Sequence, residues 1–317
     1  MKKVLVLLST FNGEKFLHEQ LNSIYEQKGV AVHILVRDDG SEDKTLSILN
    51  EYKNNKQHMT IISGNNIGAT RSYYYLMKYA YNNFCDYDYY AFSDQDDVWY
   101  ESKLKKAVNS ISSAILSSSS KVCYFFYYAN AQTTDRNLKP INSNHFKLSH
   151  NLQENVVASR SLGCTQVFSR SLLGVAMKVF DFTKDFSPNT YIPLHDGWVS
   201  LVAFALNAIV VVDADPVMLY RQHDNNVIGD IHRPFMKRFL MRINRHKTGN
   251  IKSKKCKLLL DVLEKQIPSD NRKFLEQCAY YKNNWLSRLS LAFNRSIYQY
   301  GSSERFGVFF MVLTGRF

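Results

Sequence analysis

Val4-Leu5-Val6-Leu7-Leu8-Ser9-Thr10-Phe11-Asn12-Gly13 begins with five apolar residues and breaks into a polar turn. An unalternating aliphatic run of this length is what a strand buried on both faces of a parallel sheet requires. The pattern recurs downstream. Glu14–Gln27 places Phe16, Leu17, Leu21, Ile24 and Tyr25 at helical spacing, and Val32–Val36 is a second apolar run. Asp43–Tyr52 is helical, Met59–Ile62 a third strand, Ala69–Asn82 a Tyr-rich helix and Tyr89–Phe92 a fourth strand. A further helix is expected to begin near Trp99. This alternation predicts βαβ units and an α/β fold, a Rossmann-like mixed sheet flanked by helices.

The later chain is more mixed. Val122–Tyr128, Leu162–Phe168 and Val210–Asp213 read as strands, Trp198–Leu206 as a helix, and Asp135–Asn155 as a polar loop. From Ile231 the character changes: Arg233, Lys237, Arg238, Arg242, Arg245, Lys247, Lys252, Lys254, Lys255 and Lys257 follow one another with no acid between Asp230 and Asp261. Two regions are therefore expected, 1–230 and a helical, basic, aromatic-rich 231–317.

Composition narrows the function classes. The 317 residues are 45% hydrophobic and 21% charged, which does not suit a disordered chain. No run approaches the roughly 18 apolar residues of a membrane span. Met1-Lys2-Lys3 before five apolar residues imitates a secretion signal, but the run is shorter than the usual 7–15. Cys85, Cys123, Cys164, Cys256 and Cys278 are scattered without metal-type spacing and read as reduced thiols of a cytosolic protein. The net charge of +12 implies an anionic partner: nucleic acid, anionic lipid or anionic substrate.

Acidic residues gather where strands end. Asp38 and Asp39 follow the second strand, and Asp94, Asp96 and Asp97 follow the fourth. In parallel α/β sheets those ends line the ligand crevice. Carboxylates this close repel one another unless a cation or donors compensate. Asp94-Gln95-Asp96-Asp97 suits a divalent ion that must also hold a diphosphate, with some positions left for phosphate and water. An acidic turn capping the helix near Trp99 is the plainer alternative. Ser9–Gly13 has the spacing of neither a dinucleotide-binding nor a P-loop glycine motif, which disfavours both classes.

Seven motifs then occur in order: Ser-Thr-Phe-Asn-Gly at 9–13, Arg-Asp-Asp-Gly-Ser at 37–41, Asn-Asn-Ile-Gly-Ala at 65–69, Ser-Asp-Gln-Asp-Asp-Val-Trp at 93–99, Leu-Gly-Cys-Thr at 162–165, His-Asp-Gly-Trp at 195–198 and Tyr-Arg-Gln-His-Asp-Asn-Asn at 220–226. Together they resemble family-2 glycosyltransferases of the GT-A fold. The later set is similar to the bacterial rhamnosyltransferase-like branch that builds surface polysaccharides such as capsule. The resemblance covers roughly 1–230.

That resemblance implies an inverting, metal-dependent transferase of hexosyl groups. Donor binding is implied for Ser9, Thr10, Phe11, Asn12, Asp38, Asp39, Asn66, Gly68, Arg71, Asp94 and Asp96, with Asp39 accepting a pyrimidine N–H. Asp97, Asp94 and His223 are implied ligands of Mg²⁺ or Mn²⁺. Asp196 matches the catalytic base, with a helix N-cap as its structural alternative; for His223 the alternative is a surface histidine. The family commonly has an acidic pair where this chain has His195-Asp196. His195 and Trp198 are placed on the acceptor side. The donor expected is dTDP-L-rhamnose, with a UDP-hexose as alternative.

In Pro234–His246, Phe235, Phe239 and Ile243 recur at i, i+4 and i+8 with Lys237, Arg238, Arg242 and Arg245 on the other side, the pattern of an interfacial helix. Peripheral contact with the inner face of the plasma membrane, to meet a lipid-linked saccharide, is the expected use. The aromatic stretch Phe274–Tyr300 extends that surface or forms a homodimer contact. A nucleic-acid-binding protein does not explain five acids at two strand ends. A non-catalytic nucleotide-sugar-binding partner is the remaining alternative.

Overall fold

Val4–Leu8 lies at the centre of strand β1 (Lys3–Thr10), and all five side chains are completely buried. Each such aliphatic side chain contributes about 1.5–3 kcal/mol of transfer free energy. On one side β1 pairs in parallel with β2 (Ala31–Asp38), which pairs in parallel with β3 (Met59–Ser63). On the other it pairs in parallel with β4 (Tyr89–Ser93). Helices α1 (Leu17–Tyr25), α2 (Thr45–Asn55) and α3 (Ala69–Asn83) connect these strands as the periodicity predicts. The structure is a computed structural model that describes residues 1–118, 123–141, 146–179, 191–223, 250–298 and 302–317.

The sheet continues as β4-β7-β6-β8-β5 and becomes mixed. Here β5 is Val98–Trp99, β6 Phe125–Thr134, β7 Val167–Ser169 and β8 Ile209–Arg221. β7 runs antiparallel to both β4 and β6, while β6 and β8 are parallel. The α/β class and the mixed, helix-flanked sheet are as expected.

Three local expectations are corrected. Trp99 does not start a helix: Val98 and Trp99 pair antiparallel with Leu219 and Met218, and helix α4 runs Lys103–Ser117. Leu162–Phe168 is not one strand. Gly163–Thr165 winds into a 3₁₀ turn, held where the Thr165 hydroxyl lies 2.8 Å from the Leu162 carbonyl, before β7 begins. The 135–155 stretch is not all loop, because Leu152–Val157 forms α5, whose N-cap Asn151 accepts the Glu154 N–H at 2.9 Å.

Helix α6 spans Arg170–Ala176 and α7 spans His195–Ala205. The chain divides into two compact units. The first comprises Met1–Leu148, Arg160–Ala203 and Ala208–His223 and contains the whole sheet. The second comprises Ser149–Ser159, Phe204–Asn207 and Asp224–Phe317. Helix α5 thus belongs with the later unit. The described part of that unit also holds α8 (Ile251–Leu263), α9 (Ser269–Tyr280), α10 (Trp285–Ala292) and α11 (Ser302–Leu313). Pro234–His246, its basic residues and Tyr300 lie outside the described residues. Among the described residues no helix is long and apolar enough to cross a membrane. All five cysteines are free thiols.

Candidate active site

β1 is flanked by β2 and β4, so the chain order reverses there and a crevice opens beyond the carboxyl ends of these strands. The loops that follow them are tied together across it. The Phe11 N–H donates to Gln95 Oε1 at 2.9 Å, and the Gln95 amide returns a bond to the Phe11 carbonyl at 3.0 Å. A Cβ at Gly13 would lie 2.4 Å from Gln95 Oε1, so a side chain there would displace the amide that ties the two loops. Phe11 itself is exposed, and Asn12 sits at φ 48°, with its N–H given to Ser41 Oγ.

Asp38 and Asp39 are both 2% exposed. Asp38 accepts the Thr10 and Ser41 hydroxyls at 3.1 and 2.6 Å and the Ser41 N–H at 3.0 Å. Asp39 forms an ion pair with Arg37 and accepts the N–H groups of Ile67 and Gly68, each at 2.9 Å. Buried carboxylates need such donors. Both acids, expected to bind the donor, pin the loops at the ends of β1, β2 and β3. The turn that Asp39 holds contains Asn66, whose Oδ1 accepts the Gly68 N–H, and Gly68 at φ 83° opens α3, which carries Arg71. Ser9 Oγ donates to Ser72 Oγ at 2.7 Å. Arg37 and Gln95, which sequence reasoning did not single out, are the organisers of these loops.

Beyond β4 the acids separate into two settings. Asp97 is completely buried. Its Oδ1 accepts the Arg221 N–H at 3.1 Å, and its Oδ2 has no hydrogen-bond partner among the described residues. An orphaned buried acceptor costs about 1–3 kcal/mol. Burial, then the charges of Asp96 and Asp94, push the Asp97 carboxyl well above the usual range. Asp94 is pushed up to about 7 by burial and the charge of Asp96, against the pull of the Tyr73 hydroxyl 3.0 Å away. These acids do not cap a helix, since α4 starts six residues past Asp97 and Ser102 precedes it. An orphaned buried oxygen beside two raised carboxyls is the kind of donor set that can hold a cation.

The ligand atoms of Asp94, Asp97 and Cys164 all lie within 4.8 Å of one another. His223 is not in this group: its Nε2 pairs with Asp96 Oδ2 at 2.7 Å and its ring lies 5.0 Å from that of Phe16. Of the expected ligand set Asp97, Asp94 and His223, the first two stand in this group and His223 stands beside Asp96. Beneath the cluster the buried Lys103 gives its ammonium to the Cys164 carbonyl at 2.5 Å and lies over the Trp99 ring. Burial lowers Lys103 to about 7, opposed by the charges of Cys164, Asp97 and Asp94. No spacing in the sequence marks Lys103 as part of the site.

Arg221, at the end of β8, is the other residue that sequence reasoning passed over, although its motif was noted. Only 2% exposed, it donates from Nε to the Asp96 carbonyl at 2.7 Å and from a terminal nitrogen to the Arg136 carbonyl at 2.6 Å. It also pairs with Glu19 and covers the Phe16 ring. One guanidinium thus fixes the acidic loop and the approach of His223.

Asp196 lies in the first turn of α7, one residue inside its start, so it is not the N-cap. Its Oδ1 accepts the Gly197 N–H at 2.6 Å, and Gln166 holds its carbonyl at 3.2 Å. A Cβ at Gly163 would stand 3.0 Å from its Oδ2. The charge of Asp196 helps raise Asp94, which puts Asp196 and the acid cluster within electrostatic reach. His195 stacks on Tyr73 at 3.7 Å and against Phe92, and burial lowers it to about 4, so it is a neutral packing partner at pH 7. Trp198 is completely buried with its indole N–H on the Ala176 carbonyl at 2.9 Å. It is a core residue, which corrects its placement on the acceptor side.

Residues 5–174 match the family model for glycosyl transferase family 2. The chain is 33% identical over 227 residues to the dTDP-rhamnosyl transferase RfbG of Shigella flexneri, covering 70% of this chain and 73% of that protein. Among solved structures it is similar to S. aureus TarS 1-349 in complex with UDP-GlcNAc, with TM-score 0.58 and 17% identity over 99% of this chain and 82% of that one. It is also similar to the mannosyltransferase PcManGT of Pyrobaculum calidifontis in complex with GDP-Man and Mn²⁺, with TM-score 0.52 and 14% identity over 99% and 85%. These two likenesses bear on the fold, which is of the GT-A type. The family match over more than half of the sequence and the RfbG relationship show that the chain belongs to glycosyl transferase family 2.

Proposed function

We propose that the protein is an inverting, divalent-cation-dependent rhamnosyltransferase that moves L-rhamnose from dTDP-L-rhamnose to a hydroxyl of a lipid-linked saccharide in surface-polysaccharide synthesis. The observation that carries the cation-dependent chemistry is the unpartnered Oδ2 of the buried Asp97, beside the raised carboxyl of Asp94 and within electrostatic reach of Asp196. The identity to RfbG supports the donor.

Asp94 and Asp97 would hold Mg²⁺ or Mn²⁺, which when bound neutralises charge on the nucleoside diphosphate as it leaves. The chain's own residues do the rest. Asp196 takes the proton of the acceptor hydroxyl as that oxygen attacks the anomeric carbon from the face opposite the breaking bond. Donor contact is assigned to Ser9–Asn12, Gly68, Arg71 and Asp96, with Asp38 and Asp39 acting through the loops they hold. His223 orients the Asp96 carboxylate from the side of Phe16.

Contact with anionic lipid at the cytosolic leaflet is proposed for the later unit. Trp285, Phe293, Phe306 and Phe310 there are 67%, 70%, 67% and 62% exposed, more apolar surface than a solvated helical unit needs. Basic side chains near such a leaflet contribute about 1 kcal/mol each. Co-sedimentation with phosphatidylglycerol vesicles but not with phosphatidylcholine vesicles is the expected result. Concentration-dependent dimerisation without vesicle binding would instead support a homodimer contact.

The donor is tested by nucleoside diphosphate release in Mn²⁺ or Mg²⁺ with dTDP-L-rhamnose, UDP-glucose, UDP-galactose and UDP-GlcNAc. Preferential turnover of dTDP-L-rhamnose is expected. Preference for a UDP-sugar would make the chain a hexosyltransferase of the same family.

A further inference from the structure

We propose that Cys164 Sγ is a third protein ligand of the divalent cation, so that the site combines two carboxylates with one sulfur and favours Mn²⁺, Co²⁺ or Zn²⁺ over Mg²⁺. The inference rests on the cation reading of the acidic cluster and goes beyond it, because it sets which ions the site selects.

The placement is specific. Sγ and the carboxylate oxygens of Asp94 and Asp97 lie within 4.8 Å of one another. A cation with arms of about 2.0–2.6 Å spans such a separation. Asp97, whose Oδ2 is buried and without a partner among the described residues, belongs to the same group and independently calls for a positive centre there. The histidine expected to complete the set is occupied with Asp96. The sulfur is 3% exposed and stands on a backbone fixed from both sides. Thr165 Oγ1 accepts the Ala129 N–H at 3.1 Å, and the Cys164 carbonyl takes the Lys103 ammonium at 2.5 Å. The same turn carries Gly163, whose missing side chain makes room for Asp196. One three-residue turn therefore serves both the cation pocket and the base.

Donor chemistry gives the selectivity. Mg²⁺ takes hard oxygen ligands and keeps its waters, whereas sulfur suits softer ions. A cation that binds here displaces the S–H proton to solvent, as coordinated thiols are deprotonated. The competing account makes Cys164 a plain packing residue of the core beneath the acids.

Co²⁺ titration of the full chain decides between them, carried out with Cys85 and Cys123, the two exposed thiols, changed to serine. A sulfur-to-cobalt charge-transfer band in the near ultraviolet is expected, and is expected to vanish in the added Cys164→Ser variant. The ratio of Mn²⁺ to Mg²⁺ affinity, measured by calorimetry, should fall about tenfold in that variant. Co²⁺ binding without the band in the parent protein overturns the inference whatever the variant does. A band that survives Cys164→Ser, or an unchanged affinity ratio, overturns it as well. Absence of Co²⁺ and Mn²⁺ binding in the parent refutes the cation reading itself, and the inference with it.

Discussion

The backbone N–H of Arg221 reaches Oδ1 of Asp97 at 3.1 Å, a contact between the end of β8 and the loop after β4, 124 residues apart. It settles one oxygen of a buried carboxylate and leaves the other free. An enclosed carboxylate stabilised on one side alone is costly in the resting fold, a cost that the proposed cation would relieve.

Asp97→Asn keeps the acceptor for Arg221 and removes the charge. The variant should lose the upward melting shift that Mn²⁺ gives the parent, and turnover should fall by about 100-fold or more. Its cation-free melting temperature should be equal to or above the parent's, because a buried carboxyl raised well above its usual range is no longer carried. An undiminished Mn²⁺ shift would remove Asp97 from the cation site.

Asp196→Asn should lower kcat by about 10²–10⁴ while leaving the Kd for dTDP unchanged, since the side chain acts on the acceptor. Equal losses in nucleotide affinity would place Asp196 with the donor instead.

Gly163→Ala tests the same residue from outside. The new Cβ would come 2.8 Å from Asp196 Cβ and 3.0 Å from Oδ2, so the carboxylate must move. We expect a clear drop in kcat in the parent and almost none on an Asp196→Asn background, a coupling read by a double-mutant cycle. Additive losses would mean that the alanine acts elsewhere.

Arg221→Met leaves Glu19 and the carbonyls of Asp96 and Arg136 without their donor. Because Glu19 is half exposed and can be resolvated, the cost comes mainly from the two carbonyls and is about 1–3 kcal/mol. Arg221→Lys should recover little, as an ammonium cannot replace three fixed N–H directions. Chemical unfolding measures the cost, and full recovery by lysine would reduce the role of Arg221 to its charge.

How much of this was legible in the sequence depended on range. β1–β4 and their helices were readable because strands buried on both faces are continuous apolar runs. The Ser9–Gly13, Asp38–Asp39 and Asp94–Asp97 motifs predicted which loops meet, because parallel strands deliver their ends to one edge. What a given acid does there was not readable. Asp38 and Asp39 turn inward because Ser41, Arg37 and the 66–68 backbone offer donors that only the fold assembles. Cys164 and Lys103 stand 67 and 6 residues from Asp97 and share no spacing with it, so packing alone brings them under the acids. Trp99 misled because helix and two-residue strand share one short apolar signal, which tertiary pairing with Met218 decided. For α5 a signal existed and was missed: Asn151 with Glu154 three residues on is a capping pair.

The pH dependence of stability offers a test away from the crevice. His33 on β2 is lowered to about 4, chiefly by burial and then by His58. It is surrounded by Thr60, which its Nε2 meets at 2.9 Å, and by the rings of His58, Phe84 and Tyr87. The unfolded chain takes up its proton near pH 6.5 and the folded chain only near 4, so His33 contributes stability that is present above 6.5 and drains away as pH falls to 4. His195, also lowered to about 4, drains in the same direction. Asp94, raised to about 7, works against them, because the folded state gains its proton first on acidification. The whole-protein profile is therefore a sum of opposing slopes, and the difference between parent and His33→Gln isolates one of them. Because His33 is only partly buried, solvent screening limits that difference to about 1 kcal/mol, developed between pH 6.5 and 4 and level on either side. A difference curve that is flat across this window would show that His33 titrates in the folded protein as it does in the unfolded chain.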